Sequence, residues 1–89
     1  MTTLSFTPNL RRHVATPDAV VQGATVGQVL ERYFEVNPRV RGYVLDDQGA
    51  VRPHVAIFLN REPIRDRSRL SDLVADDAEI FVVQALTGG

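Results

Sequence analysis

Cysteine, tryptophan and lysine are all absent from the 89 residues, and the ten basic side chains are all arginine. Without cysteine the chain can form no disulfide and offers no thiol nucleophile. Without lysine it has no side-chain amine to receive an isopeptide bond. The only histidines are His13 and His54, and neither lies at ligand spacing from a second donor, so no metal site is expected. No P-loop, dinucleotide fingerprint or nucleophile elbow occurs. An excess of one charge is missing too: the net charge is −1 and the isoelectric point about 6.0. This gives no global attraction to nucleic acid or to an anionic membrane. No run approaches the ~20 apolar residues that span a bilayer. The opening Met1-Thr2-Thr3-Leu4 lacks the basic and apolar regions of a secretory signal, and a cytoplasmic location is expected.

What remains is a chain sized for one domain, with 44% hydrophobic residues to build its core. At this length folding buries only about 60–65% of the unfolded surface. A deep cleft with a complete catalytic set would compete with so small a core. A binding or carrier module is therefore expected in preference to an autonomous enzyme.

Alternation at Leu4 and Phe6 predicts a half-buried strand ended by Pro8-Asn9. Residues 9–17 read as a loop with Arg11-Arg12-His13 solvated, and Ala19-Val20-Val21 as a second strand antiparallel to the first. Thr25 with Gln28 forms a capping-box signature. Val26, Val29, Leu30, Tyr33 and Phe34 then share one helical face, until Asn37-Pro38 ends the helix. Residues 38–54 read as a mixed connection, with an extended piece at Tyr43-Val44-Leu45 and a turn at Asp46-Asp47-Gln48-Gly49. Val55–Leu59 is a β-rich strand, Asn60-Arg61-Glu62 a turn, and Pro63-Ile64 a brief return strand. Leu70 and Leu73 stand one turn apart, as in a 3₁₀ or helical turn. Asp76-Asp77 turns the chain into a last strand, Glu79–Ala85. The expected class is α+β: a small mixed sheet with one main helix on one face.

Several charged groups invite a chemical reading. Asp46-Asp47 and Asp76-Asp77 could act as paired carboxylates, but turn contexts favour solvated aspartates. His54 reads as a strand-edge residue. Arg61, Arg65, Arg67 and Arg69 concentrate positive charge, interrupted by Glu62 and Asp66. A solvated face fits them best, docking on an acidic partner less well, and nucleic-acid contact least.

The element order, ending on a strand that runs into Gly88-Gly89, resembles the β-grasp (ubiquitin-like) fold of the MoaD/ThiS/CysO family of sulfur carriers. The matching segments are Thr25-Val26 with Val29-Leu30, His54–Asn60, Arg61–Arg65, Leu70-Ser71-Asp72-Leu73 and Glu79–Val83. Ala85-Leu86-Thr87-Gly88-Gly89 completes the match. Two terminal glycines would arise by chance in about 0.5% of chains, and a merely frayed end is the alternative. Arg61 departs from the glycine or aspartate that relatives often place in that turn. The resemblance implies a β-grasp domain over residues 1–84 and a flexible tail over 85–89.

It also implies a carrier, not an enzyme, although the chain could serve as the small subunit of a molybdopterin synthase-like complex. Gly89 would be the site of adenylation and thiocarboxylation, with Leu86, Thr87 and Gly88 as the tail that reaches a partner. No cofactor would be bound; ATP would be used by an E1-like adenylyltransferase of the MoeB/ThiF type. A sulfur donor such as a sulfurtransferase and an acceptor synthase complete the implied partners. The sulfur would serve synthesis of cysteine, molybdopterin, thiamine thiazole or thiolated tRNA, with a tilt to cysteine. Ile57, Ile80 and Val82 belong to the core by resemblance. Phe58, Phe81 and Val83 then face away as an apolar partner-binding patch, unless the segment 42–53 covers them. Two alternatives stay open: a ubiquitin-like modifier conjugated through Gly89, and a β-grasp interaction module with incidental glycines. Lysine could be absent through codon bias, or because an activated terminus is safer without nearby amines.

Overall fold

In the computed structural model, which describes residues 1–7 and 16–84, five strands form one mixed sheet. The solvated loop expected around Arg11-Arg12-His13 and the tail Ala85–Gly89 lie outside the described residues. Strand β1 (Thr2–Phe6) buries Thr2, Leu4 and Phe6 on one face and turns Thr3 and Ser5 to the other. Strand β2 (Ala19–Val21) pairs antiparallel with it, as the alternation predicts. Strand β5 (Glu79–Gln84) lies parallel to β1, with Leu4 opposite Ile80 and Phe6 opposite Val82. Strand β3 (Val55–Leu59) runs antiparallel to β5 on its other side, and β4 (Glu62–Pro63) closes the edge. The spatial order β2-β1-β5-β3-β4 places the last strand at the centre of the sheet.

Helix α1 (Val26–Val36) covers one face of the sheet. Its buried residues are the five apolar positions read from periodicity: Val26, Val29, Leu30, Tyr33 and Phe34. They meet Leu4, Phe6, Val55, Ile57, Ile80 and Val82 from the strands, and this two-layer arrangement is the β-grasp fold. Tyr33 anchors the seam, its ring centroid 5.0 Å from that of Phe6 and its hydroxyl donating to the Pro17 carbonyl at 2.8 Å. The Thr25 hydroxyl accepts the Gln28 amide at 3.1 Å. The return bond of the capping box is displaced by one residue: the Gln28 side chain takes the Ala24 amide, at 2.9 Å. The remaining first-turn amides, Val26 and Gly27, donate to the carbonyls of Asp72 and Leu70 at 3.0 and 2.9 Å. A Cβ at Gly27 would stand 3.2 Å from that Leu70 oxygen, so glycine permits the close approach.

Two local expectations need correction. Residues 38–44 are not a loose connection ending in an extended piece; Pro38–Val44 forms a second helix, α2, which buries Val40 and Val44. Pro38 does stop α1, since Asn37 leaves helical geometry at ψ 68. The same ring sits at the first position of α2, where its fixed φ and missing N–H suit a helix start. Only at Leu45 does the chain become extended, in an isolated bridge to Val51. The second correction concerns Leu70 and Leu73. The turn lies earlier, with the Leu70 amide donating to the Asp66 carbonyl at 3.0 Å. Leu70 is buried, whereas Leu73 is exposed and bridges Thr25.

Aspartates organise this second loop. The Asp72 carboxylate accepts the amides of Arg65 and Asp66, each at 2.9 Å. Those two N–H groups hold its pKa below the usual aspartate range, against some burial and repulsion from Asp66. Asp66 is likewise lowered, first by the Ser71 hydroxyl at 2.6 Å and then by the Arg69 amide. A depressed carboxyl pKa stabilises the folded chain above the unfolded value, near 3.9, and the benefit disappears as pH falls through the folded value. Asp72→Asn is therefore expected to lower the urea midpoint at neutral pH and to flatten its decline below about pH 4. Urea titrations at several pH values check both the offset and the slope.

Candidate functional site

The sheet face turned away from the helices has no covering layer among the described residues. Strand alternation puts Phe81 and Val83 of β5 and Phe58 of β3 on that face, beside Thr3 and Ser5 of β1. Phe58 and Phe81 are direct cross-strand partners, and Ser5 stands opposite Phe81 on the other side. Together these residues line a shallow groove of about 560 Å³. Phe81 is 41% exposed, a large fraction for an aromatic side chain at the centre of a sheet. None of residues 42–53 lines the groove. Val44, Leu45 and Val51 from that segment are buried in the core instead.

The rim was not legible in the sequence. Arg61 and Glu79 close one end of the groove. They meet there because the Asn60 amide donates to the Glu79 carbonyl at 2.8 Å while the Glu79 amide donates to Asn60 Oδ1 at 2.9 Å. Val20 on edge strand β2, paired with Thr3, adds a further exposed apolar side chain to this face. The signal that could have found these residues is the parallel β1–β5 pairing, which brings Thr3 beside Glu79 across most of the chain length.

Gln84, where β5 ends, donates its amide to the Thr7 hydroxyl at 3.3 Å. Gln84 therefore ends the central strand beside the end of β1 and the start of β3. The root of the tail and the charged rim lie at opposite ends of β5. Gly89, Gly88, Thr87 and Leu86 themselves lie outside the described residues.

The other candidate groups fall into structural positions. Asp46 Oδ1 accepts the amides of Gln48 and Ala50 at 2.8 and 3.0 Å, closing a turn in which Gly49 takes φ 82. The arginine run is split: Arg67 donates through Nη2 to the carbonyls of Arg52 and Val55 at 2.8 and 2.6 Å. Arg61, Arg65 and Arg69 are exposed. His54 sits in the turn before β3. Among the described residues no group of three or more His, Cys, Asp or Glu is placed to hold a metal ion, and no helix is long and apolar enough to cross a membrane.

Solved structures share this architecture. SAMP1 from Haloferax volcanii is similar at 22% identity, with a TM-score of 0.78 over 99% of this chain and 98% of that one. CysO from Mycobacterium tuberculosis, described as an antigen, is 22% identical with a TM-score of 0.80, covering 97% and 100% of the two chains. A chain from the Amycolatopsis orientalis BexX/CysO complex is 20% identical with a TM-score of 0.83 over the full length of both. No curated protein sequence matches the chain. The ThiS family model matches residues 10–89, a span that includes both helices, strands β2 to β5 and the diglycine. On that match the chain belongs to the ThiS family of ubiquitin-like sulfur carrier and modifier proteins.

Proposed function

We propose that the chain is a sulfur carrier whose reacting group is the Gly89 carboxylate, consumed as a protein cosubstrate and not acting as an enzyme. The observation that carries this reading is the family match, which extends through Gly88-Gly89 on a body whose central strand leads into the tail. A free carboxylate is a poor electrophile, because its charge is delocalised and oxide is a bad leaving group. A carboxylate oxygen of Gly89 would attack the α-phosphorus of ATP, forming the acyl-adenylate and releasing pyrophosphate. A sulfur nucleophile at the oxidation level of hydrosulfide would then attack the acyl carbon and expel AMP, leaving a thiocarboxylate. Both steps take place in an active site supplied by an E1-like adenylyltransferase. With no cysteine in the chain, the sulfur comes from a separate donor.

The tail chemistry fits such a site. Glycines carry no Cβ, so Gly88 and Gly89 admit close contact with surrounding backbone and φ values that other residues avoid. Residues 85–89, fully extended, reach about 17 Å from the body. Phe58, Phe81 and Val83 form the surface through which the partner holds that body while the tail enters the channel. The acceptor belongs to one of the sulfur-requiring syntheses of cysteine, molybdopterin, thiazole or thiolated tRNA, and the setting is cytoplasmic.

Intact-mass measurement tests the reading. After incubation with an E1-like enzyme, ATP and a sulfur donor, the chain is expected to exchange one terminal oxygen for sulfur. A terminus that stays unreactive under those conditions would refute the proposal. Covalent adducts to lysines of other proteins would instead place the adenylate in a modifier pathway.

A further inference from the structure

The turn joining β3 to β4 carries an arginine where its backbone favours glycine. Asn60 and Arg61 both have positive φ, 51 and 71 degrees. A two-residue hairpin with two left-handed residues is a type I′ turn, for which Asn-Gly is the preferred pair. Asn60 fills its position well, since asparagine tolerates this region and its side chain accepts the Glu79 amide. Arg61 does not: a Cβ in left-handed backbone is strained, and nothing local offsets the strain. Its guanidinium is exposed and makes no hydrogen bond or ion pair among the described residues. Glu79, although it lines the same end of the groove, does not come within ion-pair distance of it. Strained residues cluster at functional sites, and unlike Leu70, whose positive φ is held by core packing, Arg61 is exposed.

We propose that the groove receives an apolar ridge of the adenylating partner flanked by a carboxylate, and that Arg61 reads that carboxylate. The inference rests on the carrier reading above and specifies the partner's chemistry. Burial of Phe58 and Phe81 is non-directional, so it holds a partner without fixing its rotation about the patch. A charge contact at the rim fixes orientation. Arg61 suits this task by position, because it lies at the end of β5 remote from the tail root. Two anchors at opposite ends of one strand define the direction in which the tail leaves. Glu79, beside Arg61, opposes an acidic partner and keeps the contact weak enough to release a carrier that must move on to an acceptor.

The test is ATP–pyrophosphate exchange by the source organism's adenylating enzyme, measured against the concentration of this chain at low and high salt. Arg61→Gly is expected to raise KM about fivefold to tenfold without a matching fall in kcat, and to flatten the dependence of KM on salt. Its thermal midpoint should stay level or rise, because glycine relieves the turn. Arg61→Glu should raise KM further, Arg61→Lys should restore most of the affinity, and Glu79→Gln should lower KM. If Arg61→Gly and Arg61→Glu bind as the parent does while Phe81→Ser does not, the arginine proposal is wrong and the carrier reading stands. A rise in KM for Glu79→Gln would point to a basic partner and overturn it equally. Absence of exchange with the parent chain would remove both.

Discussion

A chain lacking Gly88 and Gly89 is expected to lose adenylation by at least about 100-fold while melting at the temperature of the full chain. Truncation leaves a carboxylate on Thr87, so the functional group survives. What changes is its place and its surroundings. The tail shortens by about 7 Å, and a β-branched side chain now precedes the reacting carbon. Misplacement by about 1 Å can cost 100-fold when a reaction depends on prepositioned groups. Among the described residues the core cluster ends at Val82, so the body is expected to keep its stability. Pyrophosphate exchange and a thermal melt on the same sample separate the two properties. Retained activity in the truncated chain would assign function to the folded body alone.

The opposite dissociation is expected for Leu4→Ala. Leu4 is fully buried in β1, between β2 and the central strand, where it faces Ile80 across the parallel ladder. Removing a buried leucine side chain loses transfer free energy and leaves a cavity, together about 2.7–5 kcal/mol. Domains have only about 5–15 kcal/mol in total, and one of this size sits towards the low end because its buried fraction is small. With a shift of about 4–8 °C per kcal/mol, the melting temperature should fall by well over 10 °C. Below the new transition the groove remains assembled, so exchange activity measured in the cold should be preserved. A fall of only a few degrees would mean that the sheet rearranges around the lost side chain.

Elements whose signal is local were legible in the sequence. The α1 face follows from spacing alone, and all five apolar positions are buried. β3 and β5 follow from β-branched and aromatic runs bounded by turns. Helix α2 leaves little trace in the sequence because its buried pair, Val40 and Val44, is a single i,i+4 spacing in a seven-residue segment containing Gly42. Pro38 signals a terminator in the sequence, although the residue that ends one helix can begin the next. The site was partly legible for a related reason. Phe58, Phe81 and Val83 were placed on one face through the resemblance and alternation. Arg61 and Glu79 come to one rim through the bonds between Asn60 and Glu79, and no local pattern records a contact between those two residues, 19 positions apart.

The central place of β5 has a consequence for synthesis. A nascent chain that stops short of residue 79 can form the β1–β2 and β3–β4 hairpins, but lacks the strand that joins them. Isolated two-stranded hairpins are marginal in water, so incomplete translation products have no stable sheet and no groove. The sheet closes only when the final strand emerges on release of the chain. On the carrier reading, the surface that would dock and the carboxylate that would react become available together, and a ribosome that aborts early releases a chain with neither.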